Sequence, residues 1–240
     1  MTCIVGIRTP QIAVIAADSK GTFKGNNPES VRSVCKIFRV SEAGFAIAGL
    51  IKDPESGFDL EKIVAETLWQ RASISMATVQ LRERLVSLLT LELKHLKDKK
   101  PALFKESMKD DYVCSLLIAA WEKEQPVMNG LGFKASEDDR GQMQIDTSLL
   151  CCPGNCPEGV YTFFLGARNG IDHYVANHGM NIGMSPEDGA PFLVGLEIKA
   201  GTEGVGLPID VLAITGVGVK WLARKDECGD HPIGFSVAVS

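Results

Sequence analysis

A layered α+β domain is the fold class that this sequence predicts, and two observations carry that reading. Strand-like and helix-like segments are segregated along the 240 residues, in the order strands, two helices, strands, two helices, strands, which excludes a regular βαβ alternation. The strand candidates are short, apolar and joined in places by tight turns, so mostly antiparallel sheets are expected to pack on each other and carry helices on their outer faces. No internal repeat, low-complexity tract or linker divides the chain, and residues 1–240 are expected to form one domain.

The elements follow from local pattern. Residues 3–8 and 11–17 are β-branched and apolar, and Thr9-Pro10-Gln11 between them reads as a turn. A polar stretch from Gly21 to Glu29 follows, and then strand candidates at 34–40 and 44–49 separated by Ser41-Glu42-Ala43. Leu60, Ile63, Val64, Thr67 and Leu68 recur at helical spacing, as do Leu81, Leu85, Leu88, Leu89 and Leu96 in a second helix that Asp98-Lys99-Lys100-Pro101 is expected to end. These leucine stripes read as core-facing surface. Strands return at 112–121, near 126–133, near 143–150 and at 160–166. A helix running through His178 and another over 186–200 come next, and residues 208–215 and 218–223 close as a hairpin around Gly216.

Composition narrows the function. With 45% hydrophobic and 23% charged residues, the chain can bury a sizeable core. A formal net charge of −5 with scattered basic residues argues against nucleic acid or an anionic membrane surface as partner. No stretch approaches the ~20 apolar residues that span a bilayer, and no secretory leader is expected, because Arg8, Thr9, Pro10 and Gln11 interrupt the first apolar runs. The seven cysteines are an odd number in a long chain, so a reduced, cytoplasmic setting is expected. Cys151, Cys152 and Cys156 lack paired C-x-x-C spacing and read as an irregular loop with incidental thiols, and neither a metal nor a cofactor is expected.

Thr2 carries the chemical interest. A threonine hydroxyl is a weak nucleophile unless a base lies within reach, and once Met1 is removed the residue's own α-amine is such a base, with an ordinary pKa of roughly 7.7–8.0. Thr2 leads into an apolar run and is followed, after a turn and a second run, by Asp18.

Together Thr2, Val5-Gly6-Ile7, Ile15-Ala16-Ala17-Asp18, Thr22, Lys36-Ile37-Phe38 and Ala46-Ile47-Ala48-Gly49 resemble the proteasome β-subunit family and its bacterial peptidase relatives, a branch of the N-terminal-nucleophile hydrolases. The match is strongest over residues 2–50, and Gly206-Leu207-Pro208-Ile209-Asp210-Val211-Leu212-Ala213-Ile214-Thr215 looks like the family's last helix-to-strand passage. The resemblance implies a four-layer αββα sandwich, two mainly antiparallel sheets flanked by helices. It also implies that Thr2 supplies the nucleophile and its amine the base, that Lys36 places a positive charge beside them, that Asp18 orients Lys36, and that the Gly49 N–H serves as oxyanion donor. Thr22 would lie on a segment pairing with an extended substrate, with Gly21, Ile47 and Leu50 near the pocket before the scissile bond.

The family also carries a serine between two glycines and, later, an aspartate and a second serine. This chain has Gly166-Ala167-Arg168 at the first place and Thr202-Glu203-Gly204-Val205-Gly206 at the second, so Thr202 or Glu203 is the candidate support. The expected function is a threonine-type peptidase or amidohydrolase acting on peptides or unfolded protein, in a homo-oligomeric ring with a separate ATPase partner. The alternatives are a small-substrate amidase and a catalytically silent structural or binding homologue.

Overall fold

The computed structural model describes residues 2–23, 30–70, 73–109, 111–180 and 183–228. Met1 and the 24–29 part of the expected polar stretch lie outside the described residues. The first hairpin is β1 (Cys3–Arg8) and β2 (Ala13–Asp18). Thr9 closes its turn by accepting the Gln11 and Ile12 N–H groups on Oγ1 at 3.2 Å each. Beyond Asp18 the chain leaves that sheet and forms a separate ribbon of β3 (Lys20–Phe23) and β4 (Ser30–Ser33). Next come β5 (Ile37–Val40) and β6 (Ala43–Gly49), then a second small ribbon of β7 (Lys52–Asp53) and β8 (Phe58–Asp59).

Helix α1 (Leu60–Trp69) begins where Asp59 accepts the Lys62 N–H, and α2 (Ile74–Lys99) where Ser73 accepts the Met76 N–H, both side-chain N-caps. Pro101, expected as a stop, is the first residue of α3 (Pro101–Ser107), because a proline lacks only an N–H that the first turn leaves unused. The chain continues through β9 (Cys114–Glu122), β10 (Gln125–Glu137), β11 (Met143–Cys152) and β12 (Tyr161–Gly166). It ends with α4 (Asn169–His178), α5 (Pro186–Lys199), β13 (Ile209–Thr215), β14 (Gly218–Ala223) and a 3₁₀ turn over Asp226–Cys228.

One five-stranded sheet has the order β12-β1-β2-β13-β14 and the other β11-β10-β9-β6-β5, and every pairing in them is antiparallel. Strand periodicity sorts the side chains. Ile4, Ala13, Ile15, Ala17, Leu212 and Ile214 pack with Ile37, Ala46, Ala48, Leu117 and Ala119, while Cys3, Val5, Val14 and Ala16 pack with Ile171, Ala190, Leu193 and Val194. Leu81, Leu85, Leu89, Leu93 and Leu96 of α2 pack with Phe45, Ile47, Leu116 and Ile118, each fully buried leucine contributing about 1.5–3 kcal/mol.

The four-layer αββα sandwich is corrected. The described strands divide among two five-stranded sheets and two further two-stranded ribbons, with five α-helices, and this is not a clear four-layer arrangement. The physical reason is local. Residues 20–23 pair with 30–33 instead of prolonging β2, the Lys52–Asp59 turn forms its own ribbon, and α3 packs chiefly against α2. No described helix is long and apolar enough to cross a membrane.

Candidate active site

The site is built at one end of the β1–β2 hairpin. The register sets Ile4 opposite Ala17 and so carries Cys3 and Asp18 to the same end of the pair. Thr2 sits one residue before β1, partly buried, and its carbonyl accepts the Ala167 N–H at 2.7 Å. Gly166 permits that contact. Its φ is +79°, and a Cβ there would overlap the Thr2 carbonyl oxygen.

Asp18 is the centre of the arrangement. Asp18 is 1% exposed, yet its hydrogen-bond partners among the described residues are all donors. Oδ1 accepts the Lys36 ammonium at 2.7 Å and the Cys3 N–H at 2.9 Å, and Oδ2 accepts the Lys20 and Gly206 N–H groups, both at 3.1 Å. A carboxylate accepts in this way when ionised, and charge-assisted bonds of this kind are the strong ones. The Cys3 N–H follows Thr2 directly, so Asp18 is anchored to the backbone beside the proposed nucleophile.

Lys36 is 2% exposed. It is not in a strand, as the reading of 34–40 had it, but in the link between β4 and β5. There the Val34 N–H donates to the Ser19 carbonyl at 2.7 Å, and the Lys36 carbonyl accepts the Ile47 N–H at 3.2 Å. Burial pulls the Lys36 ammonium below the ordinary lysine range, its ion pair with Asp18 opposes that, and the nearby Lys225 cation adds to it. Cys3, by contrast, is held as a thiol, first by burial and then by the Glu197 and Asp18 carboxylates.

Gly49 ends β6, two residues past Ile47. It is exposed, its φ is +95°, and a Cβ would overlap the Val113 carbonyl oxygen. Gly21 lies half-buried on β3 against Val34, and the backbone of Thr22 is paired with Val31; the Thr22 side chain lies outside the described residues. Leu50 is half-buried, whereas Ile47 is 0% exposed and faces the α2 leucines. As the chain stands, Ile47 presents no surface to a substrate.

Of the two support candidates, Glu203 is exposed, and Thr202 donates its hydroxyl to Glu197 Oε2 at 2.6 Å. Glu197 escaped the sequence reading. It is fully buried on α5, and its other oxygen accepts the Ile171 N–H at 2.9 Å, capping the first turn of α4. One carboxylate thus ties together the starts of two segments that touch the site: Ala167 reaches Thr2 just before α4, and Gly206 reaches Asp18 just after Thr202. The available signal was a lone acid inside Phe192-Leu193-Val194-Gly195-Leu196-Glu197-Ile198.

Four of the cysteines are joined, Cys35 to Cys228 and Cys152 to Cys156, so the loop at 151–156 is bridged instead of bearing only incidental thiols. No protein-family model matches the chain, and no curated protein matches it.

Proposed function

We propose that the chain is a threonine-type amidohydrolase that cleaves peptide bonds through Thr2, and the observation that supports this most strongly is the buried Asp18–Lys36 ion pair anchored to the Cys3 N–H. A buried pair costs desolvation that well-packed apolar residues would avoid, so its retention against the backbone that follows Thr2 points to chemistry. With Met1 removed, the Thr2 amine takes the Oγ proton as Oγ attacks the substrate carbonyl. The Lys36 ammonium and the Gly49 N–H stabilise the developing oxyanions, the protonated amine gives its proton to the leaving amine, and water then hydrolyses the Thr2 ester.

Kinship with proteasome β-subunits belongs to the same proposal and rests on the residue pattern over 2–50. A ring of identical subunits and a separate ATPase partner come with it. Ala167, which meets Thr2 through backbone alone, favours the competing reading of a silent homologue.

Intact mass before and after incubation with a peptide boronate or epoxyketone decides between them. The expected result is a mass lacking Met1 and a single adduct on Thr2, absent in Thr2→Ala. Replacing Lys36 by Ala is expected to slow adduct formation by about 10²–10³-fold. Retention of Met1 with no adduct overturns the enzyme reading.

A further inference from the structure

We propose that residues 224–228, the segment following β14, position Lys36 by clamping the backbone on both sides of it, and that the Cys35–Cys228 disulfide makes the clamp dependent on redox state. The inference rests on Lys36 belonging to the site. Three residues adjoining Lys36 are held by this one segment. Lys225 Nζ donates to the Val34 carbonyl, Cys228 is bonded to Cys35 across 193 residues of sequence, and Arg224 Nη1 donates to the Ile37 carbonyl at 2.8 Å.

The segment is itself braced. The Lys225 N–H donates to Asp210 Oδ1 at 2.9 Å, and Asp210 Oδ2 lies 3.4 Å from Lys225 Nζ and 3.6 Å from Arg224 Nη1. The Arg224 guanidinium lies 3.8 Å from the centre of the Trp221 ring, and its Nη2 donates to the Cys228 carbonyl at 3.3 Å. Asp210 pairs with Ala17 in the ladder next to Asp18. Both partners of the Asp18–Lys36 pair are therefore fixed from the same sheet: Asp18 by β2, and Lys36 through the clamp that Asp210 of β13 holds.

Lys36 has a short link to hold it and a long side chain to reach inward, so backbone anchors on each side limit where its ammonium can go. The clamp also supplies charge. Lys36 faces Asp18 from β2, Cys3 from β1 and Lys225 from the clamp, while Lys225 faces Asp210, Arg224 and Glu227. The Lys225 cation disfavours a second ammonium beside it. Cys35 and Cys228 are both partly exposed. A dithiol supplies two electrons and two protons, the Cys35–Cys228 bond breaks to two thiols, and the dithiol is oxidised to its own disulfide.

The test reads Lys36 directly in the full chain, as its rate of acetylation by an N-hydroxysuccinimide ester, mapped by mass spectrometry with Lys220 as internal reference. Cys156→Ser serves as background, so that dithiothreitol, removed before labelling, acts only on Cys35–Cys228. The clamp predicts that Lys36 labels about tenfold faster after reduction, or in Cys228→Ser, than in the oxidised protein, the factor expected when one local brace is released. Equal rates in all three overturn it. In Lys225→Met the midpoint of the pH dependence of Lys36 labelling is expected to rise, and a midpoint that stays or falls overturns the electrostatic part. Failure of the enzyme reading is separable: no boronate adduct on Thr2 in either redox state removes that reading, while a redox-dependent Lys36 rate still upholds the clamp.

Discussion

Lys36 and Asp18 meet at 2.7 Å with both side chains sealed from solvent, but the two partners are not equally dependent on each other. Without Lys36, Asp18 keeps three N–H donors, from Cys3, Lys20 and Gly206. Without Asp18, Lys36 loses the acceptor of its ion pair while remaining buried. Asp18→Ala is therefore expected to destabilise by about 3–5 kcal/mol, the cost of stranding a buried charge, and Lys36→Met by about 1–3 kcal/mol. Urea unfolding of the two variants checks the order, and a larger loss for Lys36→Met would contradict it.

The depressed Lys36 pKa has a definite sign in stability. In the folded chain Lys36 releases its proton at lower pH than the ordinary lysine value of about 10.4 that the unfolded chain has. Between the folded value and that one, the unfolded state binds more protons, so this group's contribution to stability rises with pH; below the folded value the full penalty for charging it in the interior is present. The stability difference between wild type and Lys36→Met should accordingly shift in favour of wild type as pH rises through the alkaline window. Measuring the difference cancels the opposing effect of Cys114, whose thiol burial alone holds protonated.

Glu197→Ala leaves the Ile171 N–H and the Thr202 hydroxyl without their acceptor. The expected loss is about 1–3 kcal/mol for the buried donor alone. Amide hydrogen exchange should speed at Ile171, Ala167 and Gly206 while the β9–β10 ladder stays protected. Uniform acceleration across both sheets would show that Glu197 acts on the whole core and not on the two loops.

Gly166→Ala places a methyl group against the Thr2 carbonyl at a φ of +79°. The strain is expected to cost about 1–3 kcal/mol and to break the bond from the Ala167 N–H to Thr2. Thermal unfolding together with the Ala167 amide exchange rate reads both, and an unchanged exchange rate would contradict the assigned contact.

Much of the architecture could be read from local pattern because that pattern has one cause. The α2 leucines recur at helical spacing since they face one apolar cluster, and β1 and β2 read as strands since both their faces are buried. The Asp18–Lys36 pair was expected only from the resemblance of residues 2–50 to a known family. What escaped has no local cause. The Lys20–Phe23 and Ser30–Ser33 ribbon carries no apolar alternation, the Lys52 ribbon has two residues per strand, and Pro101 is chemically as suited to starting a helix as to stopping one. The αββα expectation failed at those same places. Glu197 looked like one acid in a helix because its partners lie 26 residues back and 5 ahead. Seven cysteines leave the pairing of Cys35 with Cys228 unspecified until the fold brings them together.

The four donors on Asp18 come from Cys3, Lys20, Lys36 and Gly206, the last of them 188 residues downstream. Translation delivers Gly206 long after the other three have left the ribosome, and β13, which flanks β2, arrives with it. A nascent chain, or a fragment ending before that point, holds every proposed reacting group and yet has neither the strand nor the amide that complete the carboxylate's cradle. On the reading proposed above, the site's carboxylate reaches its full set of described donors only when the last part of the chain has joined the first.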